Sequence, residues 1–189
     1  MATGTTGILL AQELIRQHAH VTLLLGPAPA EPSPLRGARI IRFSFFDELA
    51  HLLKKEITSR RHHAVIHAAA VSDYRPSVTC RGKISSDKKQ WPILLEPTPK
   101  LIDSVKTFDP QTLLIGFKYE PTAAKAKLVD DGLALMRRSR ADAVVANTAR
   151  GESYRAYILE NTRIVGPLKS KKAMSQRLIR LIGEKLCMR

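Results

Sequence analysis

Apolar residues recur along the chain at two alternating spacings. Ile8, Leu9, Ala11 and Leu14 fall near one face at helical spacing, with Gln12, Glu13, Arg16 and Gln17 turned toward water, so a helix is predicted directly behind Gly4-Thr5-Thr6-Gly7. VTLLLG (21–26) is then a continuous apolar run closed by Gly26, the form of a buried parallel strand. A proline-rich loop over 27–37 leads to a second strand, ARIIRF (38–43). In SFFDELAHLLKKEI, Ser44 and Asp47 stand in a capping-box-like relation and Phe46, Leu49, Leu53 and Ile57 share a face, which predicts a helix.

The same alternation continues. HAVIHAAA (63–70) reads as a strand whose small terminal residues allow close approach of a ligand or backbone, and a polar loop follows over 76–90. WPILLEP (91–97) and TLLIGFKYE (112–120) read as strands separated by the short helix PKLIDSVKTF, with Leu101, Ile102 and Val105 inward. TAAKAKLVDDGLALMRRSR is a long helix ending in Arg137, Arg138 and Arg140, where the helix dipole favours cations. ADAVVANT is a further buried strand, SYRAYILE and RIVG form an antiparallel hairpin turning at Asn161, and MSQRLIRLIGEKL closes the chain as an amphipathic helix.

This order predicts an α/β fold: a Rossmann-like, doubly wound, mostly parallel sheet with an antiparallel C-terminal hairpin, in a single domain over 1–189. Ligands of such sheets gather at the carboxyl ends of the strands. The turn at Gly4 and Gly7 has the form that links a first strand to a first helix and offers backbone N–H groups to phosphate, yet no strand stands before it. The first strand is apparently missing.

Composition narrows the function. No apolar run reaches bilayer length and no basic-then-apolar leader opens the chain, so a cytoplasmic protein without membrane contact is expected. Cys80 and Cys187 imply no disulfide framework, and both read as bystander thiols. His63 and His67 would project ~13 Å apart on a strand, too far to share one ion with each other, and with His62 they read as core or surface histidines; no metal site is expected from side chains.

The net charge of +14 calls for an anionic partner. Nucleic acid is disfavoured, because only 5% of residues are aromatic, no binding signature appears and the cations are spread over several helices. A small polyanion fits the charge as well.

The segments leaving strands hold the candidate chemistry. Asp73 either takes a ribose hydroxyl, a base amine or a metal-bound water, or caps a turn. Lys83 is either a solvated loop charge or a cation for a bound anion. Phe117, between Gly116 and Lys118, either lies flat against a nucleobase or belongs to the core. Asn147 either orients a substrate through its amide or closes a turn.

The segments HAAAVSDYRP, GKISS, EPTPKLIDSV, LIGFK and ADAVVAN, in this order and at these separations, resemble phosphopantothenate–cysteine ligase from Gly4 to the C-terminal helix. KISS and GFK are similar to the stand-alone ligases, where the enzymes fused to a flavin decarboxylase have KIKK and GFA. The resemblance implies coenzyme A biosynthesis: ATP or CTP activates the carboxylate of 4′-phosphopantothenate as an acyl nucleotide, pyrophosphate leaves, and the amine of cysteine displaces the nucleotide. It further implies magnesium, a homodimer and a cytoplasmic setting. Carried onto this chain, Gly4, Gly7, Ala70, Asp73, Lys83, Thr98, Pro99, Lys100, Leu101 and Phe117 would bind the nucleotide, Thr3 and Asn147 the substrate, and Lys83 would be catalytic. The KISS form leans toward ATP.

Charge gives this a physical sense, since bringing a carboxylate to a triphosphate requires cations on the phosphorus oxygens. The family's strand and the asparagine that attends the acyl nucleotide would fall before Met1, and Ala2 stands where the family has serine. A central strand with about five buried apolar side chains contributes ~8–15 kcal/mol, comparable with a domain's whole net stability. The chain is therefore expected to be a truncated reading of a longer product, or to be completed by another polypeptide, and to be poorly active alone. The rival reading is an NAD(P)-dependent reductase, against which no charged ribose reader follows the second strand and no Tyr-xxx-Lys pair stands on a helix.

Overall fold

The computed structural model describes residues 4–27, 35–78, 82–87, 89–151 and 153–188. Helix α1 (Thr5–Arg16) opens behind Gly4, which holds a left-handed φ of 69°, buries Leu10 and Ala11, and reverses through a short turn into β1 (Val21–Leu25). β2 (Ala38–Arg42) pairs parallel with β1, from Val21 against Ala38 to Leu25 against Arg42. α2 (Phe46–Thr58) buries Leu49, Leu53 and Ile57, the face its spacing predicted. The acid folding back over its first turn is Glu48, which accepts from the N–H of Ser44 at 2.7 Å and of Phe45 at 3.4 Å. The helix starts at Phe46, so the third position of the first turn falls on Glu48, and Asp47 turns instead to Arg75 at 3.4 Å.

β3 (Ala64–His67) begins the main sheet, followed by β4 (Tyr74–Pro76), β5 (Leu95–Pro97), α3 (Leu101–Phe108), β6 (Leu113–Tyr119), α4 (Lys125–Ser139), β7 (Ala143–Arg150), β8 (Ser153–Leu159), β9 (Ile164–Leu168) and α5 (Lys171–Cys187). The main sheet has the order β3-β6-β7-β8-β9. Its first three strands are parallel, and β8 and β9 run antiparallel as the expected hairpin. Successive strand residues face opposite layers. Leu113 and Ile115 pack with Met174 and Leu178 of α5 and Leu10 of α1, whereas Leu114 packs with Leu53, Val105 and Met136 of α2, α3 and α4.

One predicted strand is shorter and elsewhere. Of WPILLEP only Leu95–Pro97 is strand, and it pairs antiparallel with β4 outside the main sheet. Pro92 and Pro97 lack the N–H that an interior ladder needs, and Trp91, Ile93, Leu94 and Leu95 stay exposed.

The first two strands stand apart from the main sheet. β1 and β2 form a sheet of their own, and β1 does not pair with β3. Between those two strands lies a groove of about 410 Å³, lined by Gly7, Leu10, Leu14, Leu23, Ala64 and Ile66 among others.

Candidate functional site

At the carboxyl ends of β3 and β6 lies a cavity of about 450 Å³, the place a parallel sheet reserves for ligands. The chain leaves β3 through Ala68, Ala69 and Ala70 and is tied there to the segment entering α3. Thr98 is buried; its N–H donates to the carbonyl of Asp73 at 2.9 Å and its hydroxyl to the carbonyl of Ser72 at 2.5 Å. These two bonds fix the distance between the β3 exit and the first turn of α3. Lys100 precedes α3 with no side chain capping the helix, so the first-turn N–H groups face the same region as Leu101 and Ile102 of the cavity wall.

α4 supplies the opposite wall. Asp131, Ala134, Leu135 and Arg138 follow one another at helical spacing along one stripe and all line the cavity. From β6 come Phe117 and Lys118. Phe117 also packs against the core beneath α1 and α5, so it borders the cavity while belonging partly to that layer. The floor is apolar, through Val71, Leu101, Ile102, Ala134 and Leu135, and the rim is charged. Such a site suits a flat apolar-faced ligand with an anionic tail.

The rim cations are held by carboxylates. The Lys100 ammonium bonds Asp73, and this contact, aided by the charges of Lys118 and Arg138, holds the Asp73 carboxyl below the usual carboxylate range. Arg138 Nε meets Asp103 at 2.9 Å and Lys118 meets Glu120 at 2.7 Å. Asp131 pairs with Lys127 at 2.8 Å. His67 lines the cavity from the end of β3, with Nε2 sealed from water and without a partner among the described residues; burial pushes its pKa down, so the ring is neutral.

Six predicted residues therefore converge here: Asp73, Thr98, Pro99, Lys100, Leu101 and Phe117. Ala70 sits between two lining residues but is itself exposed and not among them. Gly4 and Gly7 belong to the opening of α1, and Gly7 lines the other groove. Asn147 lies in β7 between Tyr119 and Ala156, its carbonyl accepting from the N–H of Glu120 at 3.0 Å, away from the cavity wall. Lys83 is exposed on the β4–β5 connection and does not line the cavity. Thr3 and Cys80 lie outside the described residues.

His67, Ser72, Lys118 and Asp131 escaped the sequence reading, and Arg138 was only one of several cations near the end of α4. The spacing of Asp131 and Arg138 with Ala134 and Leu135 between them carried the signal, since charges flanking two apolar residues on one helical stripe are unusual in a face that packs on a sheet. Among the described residues no group of three or more His, Cys, Asp or Glu could hold a metal. Among the described residues no helix is long and apolar enough to cross a membrane.

Residues 1–186 match the profile of the DNA/pantothenate metabolism flavoprotein C-terminal domain. The coenzyme A biosynthesis bifunctional protein CoaBC of Thermococcus kodakarensis is 32% identical over 79% of this chain and 36% of its own length. That of Vibrio cholerae is 29% identical over 98% of this chain and 47% of its own. The chain thus spans less than half the length of these curated relatives. The crystal structure of the DNA/pantothenate metabolism flavoprotein from Streptococcus pneumoniae shares the fold with a TM-score of 0.85, at 23% identity over 97% of this chain and 89% of that one. A complex of a Cab2 mutant with phosphopantothenate-cysteine superposes with a TM-score of 0.74, at 16% identity over 98% of this chain and 78% of that one.

Proposed function

The chain belongs to the family of DNA/pantothenate metabolism flavoprotein C-terminal domains, and we propose that its cavity binds a nucleoside triphosphate for the ligation of 4′-phosphopantothenate to cysteine. The observation that carries this reading is the convergence of Asp73, Thr98 to Leu101 and Phe117 with Lys118 and Arg138 around one cavity at the strand ends.

In this mechanism the base and ribose lie on the apolar floor, with Asp73 accepting from a hydroxyl or amine, while the phosphates meet Lys100, Lys118, Arg138 and the N–H groups of α3. The pantothenate carboxylate attacks the α-phosphorus, the bond to pyrophosphate breaks, and the cations hold the charge that leaves with it. The cysteine amine then attacks the acyl carbon, loses a proton and releases the nucleoside monophosphate, leaving an amide. Lys83 acts from its loop on the phosphates of the bound nucleotide, the Gly4–Gly7 turn offers backbone N–H groups to phosphate, and Asn147 attends the second substrate.

Among the described residues no group of three or more His, Cys, Asp or Glu could hold a metal, and Asp73 and Asp131 are paired with lysines; this fits magnesium carried by the triphosphate, which needs only one or two protein carboxylates. Bound there, magnesium would neutralise phosphate oxygens. Either ATP or CTP serves as donor, the active species is a homodimer, and the setting is cytoplasmic.

The test is pyrophosphate release that requires both phosphopantothenate and a nucleoside triphosphate, compared for ATP and CTP. Asp73→Asn is expected to raise KM for the nucleotide, and Lys83→Ala to lower turnover with nucleotide binding retained. Release of pyrophosphate that ignores phosphopantothenate would sink the reading.

A further inference from the structure

The rim cations of the cavity differ in what holds them. Lys100 meets Asp73, which itself lines the cavity, and Lys118 meets Glu120 two residues further along the chain. Arg138, in the last turn of α4, is held from α3, 35 residues away in the chain. Its Nε–H faces the Asp103 carboxylate, with Nε 3.2 Å from one oxygen and 2.9 Å from the other. Asp103 stands in the first turn of α3, behind the cavity that Arg138 lines and not itself part of the lining.

The carboxylate occupies Nε, and among the described residues Nη1 and Nη2 have no hydrogen-bond partner. Those two nitrogens form the outer edge of the planar guanidinium, an edge suited to bonding two oxygens of one phosphate. The pair is half-exposed, with 52% of the arginine and 32% of the aspartate side chain open to solvent, so it contributes little to the stability of the fold. What it supplies is order. An unrestrained arginine at a helix end samples many rotamers, and that freedom has to be lost when a phosphate binds. Arg140 ties the same two helices further along, through Nη2 to the Thr107 hydroxyl at 3.4 Å, so the contact between α3 and α4 does not rest on Asp103 alone.

We propose that Asp103 is a positioning residue for the ligation: it grips Arg138 by Nε and presents the free Nη edge to the phosphates of the nucleotide. This rests on the phosphate-binding role of Arg138 proposed above. Charge and geometry predict opposite signs for the removal of Asp103. Loss of a carboxylate beside an anion site favours the anion by charge alone, but at this exposure and at about 0.15 M salt that gain is screened. Loss of the prearranged fork wins. Removing Asp103 therefore weakens nucleotide binding although it leaves the site more positive.

The experiment measures ATP and CTP binding to the full 189-residue protein by calorimetry, in magnesium buffer at about 0.15 M salt and without phosphopantothenate, so that no chemistry follows. Asp103→Ala, and Asp103→Ser as a companion that keeps a polar side chain in the first turn of α3, are each expected to raise Kd about fivefold. In an Arg138→Ala background the same substitutions should change Kd by less than about twofold, because the residue they act through is gone. Thr107→Ala, which removes the other tie between α3 and α4, should also change Kd by less than about twofold. Heteronuclear NMR of the free protein should show the Arg138 Nε–H protected from water exchange, and that protection lost in Asp103→Ala. Tighter or unchanged binding in both Asp103 variants, an equal loss without Arg138, an equal loss in Thr107→Ala, or an Nε–H as protected without Asp103 as with it would overturn the proposal and leave the ligase reading standing. Wild-type protein that binds neither ATP nor CTP would overturn both.

Discussion

Asp73 and Lys100 stand 27 residues apart in the chain and meet at the mouth of the cavity because Thr98 ties the two segments together. Asp73 is 68% exposed, so its pairing tunes charge more than it stabilises the fold. Its lowered pKa means that the carboxylate persists as pH falls past the ordinary value of 3.8, and whatever it contributes is lost only below that, through the folded-state value. NMR titration of the Asp73 carboxyl should give a midpoint under 3.8, and Lys100→Ala should move it upward.

Arg138 and Arg137 are neighbours in sequence, but only Arg138 reaches the cavity. Arg138→Ala is expected to weaken nucleotide affinity about tenfold, as loss of a charge-assisted contact does, and Arg137→Ala to leave it unchanged, both by calorimetry. Asp73 and Thr98 to Leu101 were legible because they sit in short segments with recognisable residue order. Arg138 and Asp131 were not singled out, because which face of α4 meets the cavity depends on how the helix crosses β6 and β7.

Among the elements, α4 lies close against β7 and β8 at Gly132. A Cβ there would lie 2.5 Å from Leu159 Cδ1 and 3.1 Å from Ala146 Cβ, both fully buried. Leu159 could rotate only into a filled layer, and Ala146 is fixed on β7. Overpacking therefore outweighs the helix propensity gained, and Gly132→Ala should destabilise by roughly 1–2 kcal/mol in urea unfolding. Gly183 on α5 has open space instead, and Gly183→Ala should stabilise by up to about 1 kcal/mol. The alternation of strands and helices was legible because each buried run is bounded by polar or glycine residues. WPILLEP misled because its hydrophobicity resembles a buried strand while its prolines confine it to a ribbon outside the sheet. The capping acid of α2 was displaced by one residue, since three acidic or hydroxyl side chains lie within five positions and only backbone geometry chooses among them.

The whole molecule carries a charge of +14, yet the cations of the cavity rim are each matched by a carboxylate. The excess therefore acts at longer range, drawing polyanionic ligands toward a site whose local charges are arranged for geometry. Nucleotide association should slow as salt is raised from about 0.05 to 0.5 M in stopped-flow experiments, because the Debye length falls well below the molecular radius. Within the molecule, β1 and β2 stand in a sheet of their own beside the main one, a division that the alternation of apolar runs does not reveal. The central claim is that the cavity at the ends of β3 and β6 is where the triphosphate binds. Amide exchange with and without saturating nucleotide tests it most directly: the account predicts protection in 67–73, 98–102 and 131–138, and protection absent from all three while another region responds would contradict it.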